Sequence, residues 1–413
     1  MDSTLDRQPA GRRPADVPRL VTRPLALVFG TAFGAMATFY LLLPVVPVYA
    51  AEAARRDAVG LGDGAAAGLS TGAMMLATVM LEPAVPALMR RYGNRSVVAA
   101  GLALLGTPAL LLATTPSLAV VLGACLARGA GLAILVVAGT AITAALVPPS
   151  RRGEAMGIYG LVVGVPGVLL LPLGLWVAGH HGDAPVFAAG GAVALLAIAA
   201  VPGLPHRTSH VAGHEPAPAV SPPAEAPATT SSTGGLKRPA VAFAAVTLAA
   251  GVIATFLPLA VPARLHGVAA LGLLAQSLLT PAARWAAGRL EARVRPGRML
   301  APALVSSALG IGLLAAAGSP AAVVTGSALF GLGFGLAQHA SLLLMLDAVP
   351  REDYDRASAL WNLAYDGGMG VGAVGFGLVA GTLGYPAGFA LAAGVLLLAL
   401  LPIRSLARRQ GPR

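Results

Sequence analysis

Asp366 stands inside an apolar run, between Tyr365 and Gly367, where few other residues can carry charge. A carboxyl in an apolar cavity can lose its proton when the cavity meets water on one side and regain it on the other, so a proton carrier is one reading. The other is a permanently paired acid that ties helices together. Arg128 lies within a second apolar run. It could draw a proton off a nearby acid or hold an anionic group, or it could be bonded to backbone carbonyls at a helix break. Glu82, followed by Pro83 and Pro86, is either a second proton site or the static partner of an arginine at the membrane edge. Asp366, Arg128 and Glu82 form the expected proton-coupling set.

Other residue types could line a substrate cavity. His339, beside Gln338, is the one histidine of seven placed deep in an apolar run. Histidine can switch charge near neutral pH, although such a polar pair also serves as glue between helices. Gln276 and Asn362 could hydrogen-bond a substrate. Phe39, Tyr40, Trp361 and Tyr365 could form aromatic walls, with core packing as the alternative for each. Chemistry that needs a cofactor or metal finds no support. Lys237 is the only lysine, so no phosphate-binding G-x-x-x-x-G-K loop exists. Cys125 is the only cysteine, which excludes a multi-thiolate site. The glycines at 370, 372 and 375 follow no strand, and Gly68-x-Ser70-x-Gly72 lacks a strand–turn–helix setting. His206, His210 and His214 fall in linker-like sequence and are read as solvated.

The elements that must position these residues are long apolar helices. Hydrophobic residues are 56% of the 413 and charged residues 11%, where a soluble chain needs about a quarter charged; mean hydropathy is +0.78. Lipid is therefore the main solvent. The net charge of +11 comes from arginines clustered in short loops without interleaved aromatics, which argues against nucleic acid. Runs of about 20 apolar residues fall at roughly 25–50, 64–89, 96–114, 117–147, 154–178 and 184–203, then 239–263, 267–290, 298–317, 320–348, 355–380 and 386–404. The sequence predicts an all-α integral membrane protein with twelve transmembrane helices in two pseudo-symmetric six-helix bundles. The expected organisation is a tail at 1–24, a bundle at 25–203, a disordered linker at 204–237 rich in Pro, Ser and Thr, and a bundle at 238–413.

The halves are copies. Displaced by 202 residues, Gly129 and Gly131 fall on Gly331 and Gly333, Ala155 on Ala357, Tyr159 on Trp361 and Phe187 on Phe389. A self-match at half the chain length marks a duplicated unit. With the amino terminus inside, 23 of the 28 Lys and Arg fall on the inner side and three (Arg55, Arg56, Arg264) on the outer. The positive-inside rule then places both termini in the cytoplasm of a multi-pass protein of the cytoplasmic membrane.

The two repeats and the motifs in them resemble the major facilitator superfamily. VPPSRRGEAMGIYG from Val147 looks like its P-x-x-R-R-G-x-A-x-G-x-x-G, and Gly164, Pro166 and the residues to Gly174 look like the glycine–proline motif of its fifth helix. ARGAG at Ala127–Gly131 is similar to the fourth-helix arginine motif, and AYDGGMGVG at Ala364–Gly372 to the Tyr-Asp-x-Gly stretch of exporters. The family's loop between helices two and three usually carries D-R-x-G-R-R. Here Pro86–Arg95 reads PALMRRYGNR, with Arg90 in place of the acid. The resemblance implies a cytoplasmic latch, so one reading is an exchanged pairing between Arg90 or Arg91, beside Gly93, and Glu352, Asp353 or Asp355; the other is that Arg90 is a plain cytoplasmic anchor and the acids cap the helix. Pro166 and Gly164 are expected to bend with the gate.

These readings lead to a proton-coupled secondary transporter that moves a small amphiphilic or hydrophobic compound by alternating access, in the direction of efflux. Its expected partners are the substrate, protons and the bilayer, and the chain is expected to be monomeric. Uptake of a small metabolite is the first alternative; a membrane-embedded lipid enzyme and a transport-dead sensor are more distant ones.

Overall fold

The computed structural model describes residues 20–115, 117–207, 233–291, 293–350 and 353–401. Among them every regular element is helical. The first crossing is α1 (Arg23–Leu42) followed by α2 (Val46–Arg56), broken around Pro44. Proline removes a backbone donor and crowds the preceding turn, which accounts for the break. The second crossing runs through α3 (Asp63–Leu81) and a tight turn at Glu82–Ala84 into α4 (Val85–Leu112). At Gly93 α4 leaves helical geometry (φ 77°, ψ 160°), so its remainder is the third crossing. Then come α5 (Leu118–Ala145), α6 (Arg152–His181), α7 (Asp183–Ala197), α8 (Thr233–Ala260), α9 (His266–Leu290), α10 (Pro296–Leu313), α11 (Pro320–Asp347) and α12 (Tyr354–Leu398). The 45 residues of α12 hold the last two crossings, separated at Gly384 (φ 80°, ψ 166°).

Nine helical segments among the described residues are long and apolar enough to cross a membrane, and the 50-residue Asp63–Leu112 segment and α12 are each long enough for two passes, turning at Gly93 and Gly384. α9, made less apolar by Gln276, Ser277, Thr280 and Arg284, falls outside these nine, and counting it is consistent with the expected twelve crossings. Chain ends Arg23 and Leu398 thus share one face, called here the terminal face; Gly64 and Leu383 lie toward the far face.

The duplication read from the sequence is written into the packing. Gly129 presses on the Met74 carbonyl of α3, and its copy Gly331 on the Gln276 carbonyl of α9, again 202 residues away. Gly131 lies against Gly101 and Leu105, Gly333 against Ala303 and Ser307. A side chain at any of these four positions would drive two helices apart, so the close approach depends on them. The turns between crossings five and six and between eleven and twelve use Gly182 (φ 81°) and Gly384 (φ 80°), a backbone region that residues with a Cβ avoid. At the terminal face Val147, Ala155 and Tyr159 form a cluster with α1, and their counterparts Val349, Ala357 and Trp361 form one with α8. Phe187 and Phe389 are both fully buried.

The first residues after α7 depart from the linker expectation. Leu204–His206 fold back on the Gly93 turn: the Asn94 N–H donates to the His206 carbonyl at 2.9 Å and Arg95 Nε to the Leu204 carbonyl at 2.6 Å. The His206 carbonyl is engaged, while the residue itself stays exposed. Residues 208–232 of the expected linker, with His210 and His214, and 1–19 of the tail lie outside the described residues.

Candidate functional site

The interior between the halves gathers its polar groups where the first, second, eighth, tenth and eleventh crossings meet. Asp366 sits three turns into α12, followed by Gly367 and Gly368; Gly368 lets α12 lie on α8, abutting Thr247, whose hydroxyl donates to the Ala364 carbonyl at 2.8 Å. This pins the turn that presents Asp366. The Asp366 carboxyl interacts electrostatically with Glu82 of the opposite half, and with Tyr40 and Tyr365. Glu82 stands at the proline-rich break that ends α3, and its Oε1 is buried without a hydrogen-bond partner. Neither acid forms an ion pair among the described residues. Asp366 therefore feels an acid of the opposite half, and neither acid has an ion-pair partner among the described residues.

The aromatic candidates divide. Tyr40 lies half-buried over Gly167 of α6 and edge-on to Phe39 (4.9 Å between centroids). Phe39 itself is buried in the core, so it is packing rather than cavity wall. Trp361 stacks on Phe243 at 4.6 Å and 14° and its indole N–H donates to Ser341 Oγ at 3.0 Å. It is the counterpart of Tyr159, whose hydroxyl abuts Gly139, the position equivalent to Ser341. Tyr365 is tilted against Trp361 at 5.9 Å and Phe334 at 6.1 Å. Asn362 is half-buried one residue on from Trp361.

Several expected residues lie elsewhere. His339 is not deep in the bundle: Nε2 lies 3.1 Å from an oxygen of Glu291, just past the terminal-face end of α9. The pair bridges two helices of one half. Gln276 is midway along α9 with a buried, unpartnered Oε1. Arg128 is 1% exposed, and no ion pair joins it to Asp366 or Glu82, so the expected tuning of those acids by Arg128 has no contact behind it. Arg90 is exposed and Arg91 stacks over Tyr92 at 5.2 Å. No ion pair joins either to Asp353 among the described residues; Glu352 and the Asp355 side chain lie outside them. Gly93 serves as a turn. Pro166 is buried within an unbroken α6, and Gly164 faces open space.

One site residue escaped the sequence reading. Arg284 of α9 donates from Nη1 to Gln338 Oε1 at 3.4 Å and interacts with Tyr365. Its signal was present: an arginine two turns before the end of an otherwise apolar span.

The sequence profile described as Major Facilitator Superfamily matches residues 28–301 and again 239–413. No curated protein sequence matches significantly. Solved structures share the fold at low identity. A peptide transporter POT in complex with sulfate has a TM-score of 0.74 at 16% identity, covering 94% of this chain and 94% of that one. A variant of the nucleoside transporter NupG reaches 0.69 at 14%, covering 92% and 99%. A POT family transporter in complex with 5-aminolevulinic acid reaches 0.71 at 11%, covering 94% and 96%.

Proposed function

Since the chain belongs to the Major Facilitator Superfamily and is a membrane transporter rather than an enzyme, we propose that it couples proton movement to export of a small amphiphilic or hydrophobic compound. The observation that carries the reading is a pair of acids in opposite halves, Asp366 under the electrostatic influence of Glu82, neither with an ion-pair partner among the described residues. With the interior open to one side, water and protons reach the two acids. A shared proton relieves their like-charge repulsion and favours the arrangement that brings the halves together around them; its loss favours separation. Each half moves as a body, and the cavity opens to one face at a time. The aromatic rings of Tyr40 and Tyr365 together with the acid Asp366 suit an amphiphile. The arginine asymmetry of the loops supports termini in the cytoplasm, and hence a cavity loaded from there.

Uptake of a polar metabolite is the second reading. Arg284, Gln338 and the orphaned Gln276 Oε1 favour it, since buried polar groups reward a ligand that pairs with them. The structurally similar proteins include peptide and nucleoside transporters, which fits such a substrate.

Proteoliposomes of defined orientation with an imposed proton gradient test the proposal. Accumulation should follow the gradient, and Asp366→Asn should abolish that dependence while exchange of substrate down its own gradient continues. Coupling that survives Asp366→Asn and Glu82→Gln together would sink it. The direction of accumulation separates export from uptake.

A further inference from the structure

Arg284 is an accessible cation of the interior that no acid of the fold answers. It belongs to α9, two turns before the terminal-face end, and is exposed. One edge of its guanidinium is fixed: Nη1 donates at 3.4 Å to Oε1 of Gln338, a buried side chain of α11. Its charge also acts on Tyr365 of α12. α9 packs on α11 and α6 but shares no seam with α12, so that influence crosses a space between helices rather than a packed contact. An arginine within a span is too costly to leave against lipid. Both groups it meets belong to the interior, so its exposure is to the opening there. No ion pair reaches it among the described residues. Glu291, the acid just past α9, is held by His339 at 3.1 Å. Asp366 acts on Tyr365, but neither it nor Glu82 acts on Arg284. Tyr365 thus feels a cation and an acid that do not neutralise one another.

We propose that Arg284 recognises a carboxylate on the transported compound, with Gln338 as the residue that positions the guanidinium. A guanidinium presents five N–H donors in a planar fork that matches the two oxygens of a carboxylate. Gln338 occupies one donor and leaves the others to a ligand. Charge sets the class. A single arginine answers one negative charge, and a dianionic phosphate would bring a second into an interior that already holds Asp366 and Glu82. The rings of Tyr365, Trp361 and Phe334, at 5.9 and 6.1 Å from one to the next, suit an apolar or aromatic body. The substrate class is therefore a small amphiphilic monocarboxylate. The inference rests on the proposed passage of the compound through this interior, in either direction, and not on proton carriage by Asp366.

The test is thermal unfolding of the purified full-length protein at neutral pH with phenylacetate, its neutral isostere phenylacetamide and the cation phenethylamine, at constant ionic strength set with sodium chloride. Ligand linkage predicts a midpoint that rises with phenylacetate once its concentration passes the dissociation constant, and no comparable rise with the other two. Arg284→Gln should weaken phenylacetate by about tenfold or more, the loss that follows from removing a charge-assisted hydrogen bond. Arg284→Lys should keep the preference for the carboxylate at higher concentrations. Gln338→Leu should weaken phenylacetate less than Arg284→Gln does, since the charge remains and only its orientation is lost. Asp366→Asn should keep the preference, and because the readout needs no gradient, a failure of proton coupling is told apart from a failure here. Should Arg284→Gln not fold, the comparison of the three probes on the native protein and on Arg284→Lys decides. Equal shifts by acid and amide, no shift by phenylacetate, an undiminished shift in Arg284→Gln, or loss of the preference in Arg284→Lys or Asp366→Asn overturns the proposal.

Discussion

The two seams between the halves are equivalent under the repeat, yet they are packed differently. One joins α3 to α12, the other α9 to α6. On the first, Gly64 lies on the Gly377 backbone, Gly68 on Ala373, Gly72 on Val374 and Gly370 on Met75. Counting 202 residues across, the second seam has His266, Ala270 and Leu274 in place of the three α3 glycines and Leu175 in place of Gly377. On that side a cavity of about 100 Å3 lies among Leu175, Ala178, Gly179, Pro258 and Ala269. Farther along α6, Gly157, Gly160 and Gly164 face open space. The copies thus diverged where they meet. Closure toward the far face rests on the glycine-lined seam, and the other is left loose.

The largest effect expected from disturbing this contrast is at Gly68. A Cβ there would collide with the Ala373 backbone, which cannot yield as a side-chain tip can. Gly68→Val should cost on the order of 1–3 kcal/mol of stability by overpacking, read as a lower unfolding midpoint, and should disable transport. Thr71→Val comes next. It removes the hydroxyl that bonds Thr255 across the halves at 2.9 Å and should cost about 0.5–1.5 kcal/mol. Gly160→Ala on the loose side should be smallest and opposite in sign. Its new methyl meets nothing within 4 Å, and replacing a helical glycine gains about 0.5–1 kcal/mol. Equal losses at Gly68 and Gly160 would erase the distinction between the seams.

The sequence revealed the fold because duplication and hydropathy are one-dimensional signals. The match of Gly129 with Gly331 and Tyr159 with Trp361 already contained the helix pairs they join. Facing is a different matter. In a chain that is apolar on its lipid side and its core side alike, periodicity does not say how each helix is rotated about its axis. That rotation turned His339 toward Glu291, isolated Arg128 and brought Arg284 beside Gln338 and Tyr365. Asp366 and Tyr365 were legible because a carboxyl within a span has few places to go. The electrostatic influence of Glu82 on Asp366 was not, since it required knowing which helices of opposite halves come together. The exchange of Arg90 for an acid was visible, while Arg351, Glu352 and the Asp355 side chain lie outside the described residues.

The central claim is that the α3/α12 seam parts during each transport cycle. A Cβ at position 72 would stand 3.8 Å from the Val374 Cβ, about the separation found in disulfides. The double variant Gly72→Cys and Val374→Cys, in a Cys125→Ser background, should therefore cross-link on mild oxidation. The account predicts that transport stops when the bond forms and returns on reduction. Full transport by the cross-linked protein would contradict it.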